Sequence, residues 1–207
     1  MKRITTATGF LTLVAMFVLG VFSVGSASAV PQFLWTGPLP GLVLIKSDNP
    51  QFFSSAPGFT VVCQKFTGHG FASNGLAMTT KDITITGVYA ECKTVLPLAL
   101  AAEVTPAAYL LNADGSLAVL NEITINIPGA GCNLKIKPGG ANASLKTIRY
   151  LTDPLNAGAI LAHAEVTKIA SFGSAEPCGT AGVEKTEGEY RGLLLAFIHG
   201  GTLKWDA

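Results

Sequence analysis

Charge is sparse in this chain. Only 14 Lys/Arg and 13 Asp/Glu occur in 207 residues, or 13%, about half the usual quarter. With a formal charge of +1 and no basic run, it offers no face for nucleic acid. No acidic block marks a solvated tail. Histidine is also rare, at His69, His163 and His199, so catalysis and metal binding have few donors to draw on. The four cysteines include no C-x-x-C pair, which removes the usual zinc signature. There is no G-x-S-x-G elbow, no phosphate-cradling G-x-x-x-x-G-K-[ST], and no cofactor motif. The carboxylates are scattered except for Glu184, Glu187 and Glu189, beside Lys185, which suits a solvated surface better than a glycosidase pair.

Apolar residues, by contrast, make up 49% of the chain, enough for a sizeable core. The first apolar run is an address. Lys2 and Arg3 precede the greasy stretch Gly9–Val24, and Ala27-Ser28-Ala29 fits a small-x-small cleavage site. Residues 1–29 are therefore expected to be a signal peptide cut after Ala29, leaving 30–207 as one exported domain. Loss of Lys2 and Arg3 takes the formal charge to −1. No later run is long enough for a membrane span.

Export implies an oxidising compartment, where Cys63, Cys92, Cys132 and Cys178 read as two disulfides. Four cysteines allow three pairings; the sequential one, Cys63–Cys92 with Cys132–Cys178, is expected.

Period-two alternation dominates the mature chain. Ile123, Ile125 and Ile127 alternate with Thr124 and Asn126; Cys132, Leu134 and Ile136 alternate with Asn133 and Lys135. Between them Pro128-Gly129-Ala130-Gly131 is turn chemistry, so 123–137 reads as a hairpin. Further strands are expected at Phe59–Phe66, Ile83–Cys92, either side of Asn112–Gly115, Leu145–Leu151, Tyr190–His199 and Thr202–Trp205, with Asn74-Gly75 as a hairpin turn. Gly87 suggests a bulge. The prolines of 30–58 predict an edge strand or lid at Leu42–Ile45. Residues 153–169 allow a helix capped at Asp153-Pro154 or a strand from Ile160, and strand is preferred. A loop is expected over 173–188. The fold class is all-β, an antiparallel β-sandwich or barrel-like single domain.

Several stretches together resemble a loose group of exported bacterial proteins of uncharacterised activity: Phe33-Leu-Trp-Thr-Gly, Thr60-Val-Val-Cys63, Gly87-Val-Tyr-Ala-Glu-Cys92, Ile160-Leu-Ala-His-Ala-Glu, Cys178-Gly and Gly201-Thr-Leu-Lys-Trp. The resemblance implies export and a disulfide-braced β fold. It implies no substrate, cofactor or catalytic residue.

Candidate site residues are few. Trp35 and Trp205 are expected to pack where the termini meet or, if exposed, to form a platform for a cell-envelope glycan. His69 lies between glycines in an expected loop, and His163 stands two residues before Glu165 on one strand face. Asn142-Ala143-Ser144 is a chance glycosylation sequon. Three functions follow: a non-enzymatic surface binding or structural module; a carrier of a small apolar ligand, its pocket lined by Leu42–Ile45, Val95–Ala102 and Leu193–Ile198; or a hydrolase with a site assembled from distant residues.

Overall fold

The computed structural model describes residues 30–56, 59–72, 78–95 and 98–207. The expected signal segment, the expected Asn74-Gly75 turn and the Pro97 portion of the Val95–Ala102 run lie outside the described residues. The strands in chain order are β1 (Gln32–Thr36), β2 (Leu42–Ser47), β3 (Gln51–Ala56), β4 (Phe59–Phe71), β5 (Thr79–Thr80), β6 (Asp82–Thr94), β7 (Ala101–Val104) and β8 (Ala107–Asn112). They continue with β9 (Ser116–Val119), β10 (Ile123–Ile127), β11 (Cys132–Ile136), β12 (Leu145–Lys146), β13 (Ile148–Thr152), β14 (Ala159–Gly173), β15 (Glu184–Ile198) and β16 (Thr202–Asp206).

Thirteen of these form one antiparallel sheet, and its pairings close on themselves. Short strands join end to end into longer staves. β2 and β3 run in sequence along the same neighbour, β4, from Leu42↔Phe71 to Ala56↔Phe59, with a break at Asp48–Pro50. β7 and β8 both follow β6 in one register, interrupted at Thr105-Pro106. β9 with β10, and β11 with β12 and β13, also join end to end, with the register shifted at each junction. The result is eight staves, each paired to the next in sequence: β2/β3, β4, β6, β7/β8, β9/β10, β11–β13, β14 and β15. β15 then pairs back onto β2 (Ile198↔Val43) and β3 (Tyr190↔Phe53), so the meander is a closed barrel.

Closure sorts the side chains. β6 turns Ile83, Ile85 and Tyr89 inward and exposes Asp82, Thr84 and Thr86. An eight-stranded barrel is just wide enough for side chains to fill it. Glycines set the tight corner between β4 and β6. Gly68 and Gly87 are directly opposite, and a Cβ on Gly87 would lie 2.2 Å from Phe66 Cζ. The β4–β6 register runs unshifted past Gly87, so this glycine makes room for a ring and is not a bulge. Register shifts fall instead in β14, between Val166 and Ser171, and in β3, between Ser54 and Ala56.

β1, β5 and β16 form a separate three-stranded sheet over one mouth of the barrel. Phe33, Trp35 and Leu203 are fully buried beneath it. The cap is tied down by Leu203 N–H to the Gly158 carbonyl (2.8 Å) and by Trp35, whose ring lies against Gly41. At the other mouth Cys132–Cys178 joins the β10–β11 turn to the β14–β15 connection. Cys63–Cys92 links directly opposed residues of β4 and β6, so the pairing is the sequential one.

Several expectations are corrected. Leu42–Ile45 is neither an edge nor a lid: β2 lies between β4 and β15. Its prolines fall outside it, Pro38 and Pro40 in the preceding connection and Pro50 in the break before β3. The segment 153–169 holds no helix. Asp153 and Pro154 belong to the β13–β14 turn, and β14 begins at Ala159. The Leu145–Leu151 strand is broken at Thr147, which has a φ of 94°. The 173–188 loop is shorter than expected because β15 starts at Glu184. β15 buries one face, Leu194, Ala196 and Ile198, while Leu193, Leu195 and Phe197 are half-exposed. Asn142 is buried, bonded through its side chain to the Ala170 backbone on both sides (2.8 Å each), which closes the sequon to modification in the folded chain.

Candidate functional site

The expected site residues separate. Trp35 is 1% exposed and belongs to the core, so it forms no platform. β1 and β16, at the two ends of the described residues, do pair, but the register sets Phe33 opposite Trp205 and Leu203 opposite Trp35, leaving the two tryptophans as diagonal neighbours. His69 is in strand β4, not a loop, exposed between Leu44 of β2 and Thr86 of β6. His163 is exposed on β14, its Nε2 3.9 Å from Glu165 Oε1. Two staves, β15 and β2/β3, separate the two histidines. Among the described residues no cluster of three or more His, Cys, Asp or Glu could hold a metal ion.

Trp205 has a different setting. Its indole N–H donates to the Ala113 carbonyl at 2.8 Å, which fixes the ring against the β8–β9 turn. That turn is held close to β13. Gly115 has a φ of 82°, its carbonyl accepts from Ile148 N–H at 3.0 Å, and a Cβ there would lie 2.6 Å from the Ile148 oxygen. Only glycine satisfies both the conformation and the approach. Trp205, Pro31, the 113–115 turn and β13 then enclose a surface groove of about 390 Å³.

Four consecutive residues of β13, Ile148 to Leu151, line this groove. Successive strand side chains point to opposite faces, so such a run means the strand lies edge-on to the groove. β13 pairs with β14 on one side, and among the described residues no strand pairs with its other side. Tyr150 is 2% exposed, with its ring 5.0 Å from Phe33 and 6.0 Å from Trp205. Its hydroxyl has no hydrogen-bond partner among the described residues. Burial pushes its pKa well up, and the negative charge of Asp114 pushes the same way, so it stays a neutral donor. Asp114 accepts from Ser116 Oγ (2.7 Å) and Ser116 N–H (2.9 Å). Those bonds hold its carboxyl below the usual range, and it is ionised at neutral pH. Arg149 completes the wall. It is exposed and lies across the β13–β14 pairing from His163.

A second space lies inside the barrel. It is apolar and has a volume of about 40 Å³, with Tyr89, Tyr109 and Tyr190 on its wall. Its polar atoms are already partnered. Tyr89 and Tyr109 hydroxyls meet at 2.9 Å, and Tyr190 donates to Gln51 Oε1 at 2.5 Å. Fully buried Gln51 donates in turn to Ser47 Oγ (2.9 Å) and the Asn49 carbonyl (2.8 Å). Gly192 leaves the room Gln51 needs, since a Cβ there would lie 1.9 Å from Oε1. Ligand pockets run to several hundred Å³, and even a benzene-binding cavity is about 150 Å³. Of the apolar runs expected to line a carrier pocket, only Leu194 reaches this cavity among the described residues.

The class defined by this geometry is a closed, capped, disulfide-braced antiparallel barrel with a filled interior and an open groove at its capped mouth. No family model, curated protein or solved structure matches the chain. Tyr150, Arg149 and Asp114 were not singled out in the sequence. The only local signal was the Ala-Asp-Gly-Ser turn that carries Asp114, because the groove is assembled from segments far apart in the chain.

Proposed function

We propose that this is a non-enzymatic binding module of the cell surface, exported with cleavage after Ala29, that holds a saccharide unit of a cell-envelope glycan in the groove at the capped mouth. The observation that carries it is the pairing of Trp205 with Tyr150: an indole pinned by its own N–H, beside a buried hydroxyl without a partner. A fixed aromatic surface suits the C–H face of a sugar ring, and a neutral hydroxyl suits its polar rim. A buried polar group without a partner costs free energy, and a ligand oxygen at that point would recover it. Binding is favoured over hydrolysis because glycosidases use two carboxylates, and among the described residues the groove is lined by one, Asp114. Two disulfides fit an oxidising compartment, and no described helix is long and apolar enough to cross a membrane.

The test is calorimetric titration of the exported protein with soluble cell-envelope oligosaccharides, beside Tyr150→Phe. Wild type should bind, and Tyr150→Phe should weaken binding about three- to tenfold, the value of one hydrogen bond. The variant's own melting temperature should be unchanged or raised, because the hydroxyl it removes is unpartnered in the free protein. No binding by wild type, or equal binding by the variant, would overturn the proposal.

A further inference from the structure

We infer that the groove selects acidic saccharides, those carrying a ring or side-chain carboxylate, and that Arg149 is the residue that reads the carboxylate. The inference rests on the glycan reading above. Among the described residues, Lys65, Lys135, His163 and Arg191 each stand within 4.0 Å of a glutamate carboxylate. Arg149, like most of the lysines, makes no such pair among the described residues, and it is the one cationic side chain among the residues that line the groove. Its directly opposite cross-strand neighbour is His163, and Glu165, the next residue on that face of β14, stands 3.9 Å from the His163 Nε2. A guanidinium presents a planar fork that matches a carboxylate bidentately.

Asp114 is the opposing charge in the same groove, and it fixes the polarity of the site. Its carboxylate is bonded to Ser116 and feels Lys146 nearby. A ligand carboxylate is repelled from the 113–115 turn and drawn to the β13 side, where Arg149 stands. A neutral sugar stacked on Trp205 would leave the guanidinium without its partner.

The experiment compares trigalacturonate with its carboxyl-reduced, neutral trisaccharide, by calorimetry on the whole exported protein at low and high salt. Wild type should bind the acidic form about five- to tenfold more tightly, a value set by one partly exposed bidentate pair. The preference should shrink as salt rises. Arg149→Gln should bring the ratio toward one, and Arg149→Lys should retain part of it. Arg149 is exposed, so circular dichroism and melting of both variants serve as folding controls. Equal binding of the two sugars by wild type would overturn acid selection and leave the glycan site standing. A preference that survives Arg149→Gln would overturn the assignment to this residue. Failure of both sugars, with envelope fragments failing as well, would overturn the glycan reading itself.

Discussion

Replacing Gly87 with alanine puts one methyl group where the barrel has no room for it. Gly87 faces inward on β6, and an added Cβ would lie 2.2 Å from Phe66 Cζ and 2.6 Å from Cε2. Carbon atoms in contact sit about 3.5–4.0 Å apart, so the ring must retreat by more than 1 Å. It has nowhere to go: Phe66 is fully buried, its ring 4.7 Å from that of Tyr89, and Tyr89 is held by Tyr109. Overpacking of this kind costs about 1–3 kcal/mol. Reduced freedom of the unfolded chain returns about 0.4–1 kcal/mol, which leaves a net loss centred on ~1.3 kcal/mol and at most ~2.6 kcal/mol. Phe66→Leu supplies the control. Alone it opens a cavity; combined with Gly87→Ala, the new methyl occupies part of that space. The double variant should therefore be more stable than the two single losses added together, by about 1 kcal/mol. The assay is equilibrium urea unfolding with disulfides intact, comparing midpoints at constant slope. A Gly87→Ala midpoint at or above wild type, with an additive double variant, would refute the close-packed interior.

The remaining predictions concern the braces and the buried polar groups. Replacing Cys63 and Cys92 by alanine should cost about 3.5 kcal/mol, and replacing Cys132 and Cys178 about 4 kcal/mol, from separations of 29 and 46 residues in the chain-entropy model; denaturant midpoints check both. Gln51→Leu strands the Tyr190 hydroxyl and should cost about 1–3 kcal/mol, part of it recovered by adding Tyr190→Phe, as thermal unfolding would show. Asp114 has its folded pKa depressed, so its stabilisation is present above the unfolded carboxylate range and fades as pH falls through the folded value. Asp114→Asn should therefore flatten the acid limb of the melting-temperature profile and leave its alkaline limb unchanged.

Local features of this fold were legible wherever one hairpin carried its own instructions. The β10–β11 pair has unbroken alternation on both strands and turn residues between them, and its register runs from Ile123↔Ile136 to Ile127↔Cys132 with Cys132 buried. Proline misled because the rule against interior strands applies to the residues it occupies. Pro38, Pro40 and Pro50 bracket β2 without entering it. His69 was placed in a loop on the strength of its flanking glycines, but Gly68 and Gly70 are there for close approach. A Cβ on either would meet the backbone of β6, at 2.9 Å from the Thr86 oxygen and 2.0 Å from the Thr84 oxygen. The groove was the least legible part. Trp205 was visible, but its partner Tyr150 was one aromatic in an ordinary strand, and its significance depends on β13 having no second neighbouring strand among the described residues.

Whether the sheet would stay open, split into a sandwich or close could not be decided hairpin by hairpin. That choice rests on the pairing of β15 with β2 and β3, joining Ile198 to Val43 across nearly the whole described chain. Distance alone is a weak obstacle. Loop-closure entropy grows with the logarithm of length, so joining ends tenfold farther apart than a short connection costs about 2 kcal/mol more. An open sheet would leave two long edges with unpaired backbone groups, and would expose the inward side chains of Val43, Ile45, Phe53, Leu194, Ala196 and Ile198. Burying even a few of these is worth more than that entropy. The glycines at Gly68, Gly70, Gly87 and Gly192 permit the close approaches that closure demands, and three of the four lie on β4 and β6. Closure is thus written in the sequence as a distribution of missing side chains, which alternation analysis passes over because it counts the side chains that are present.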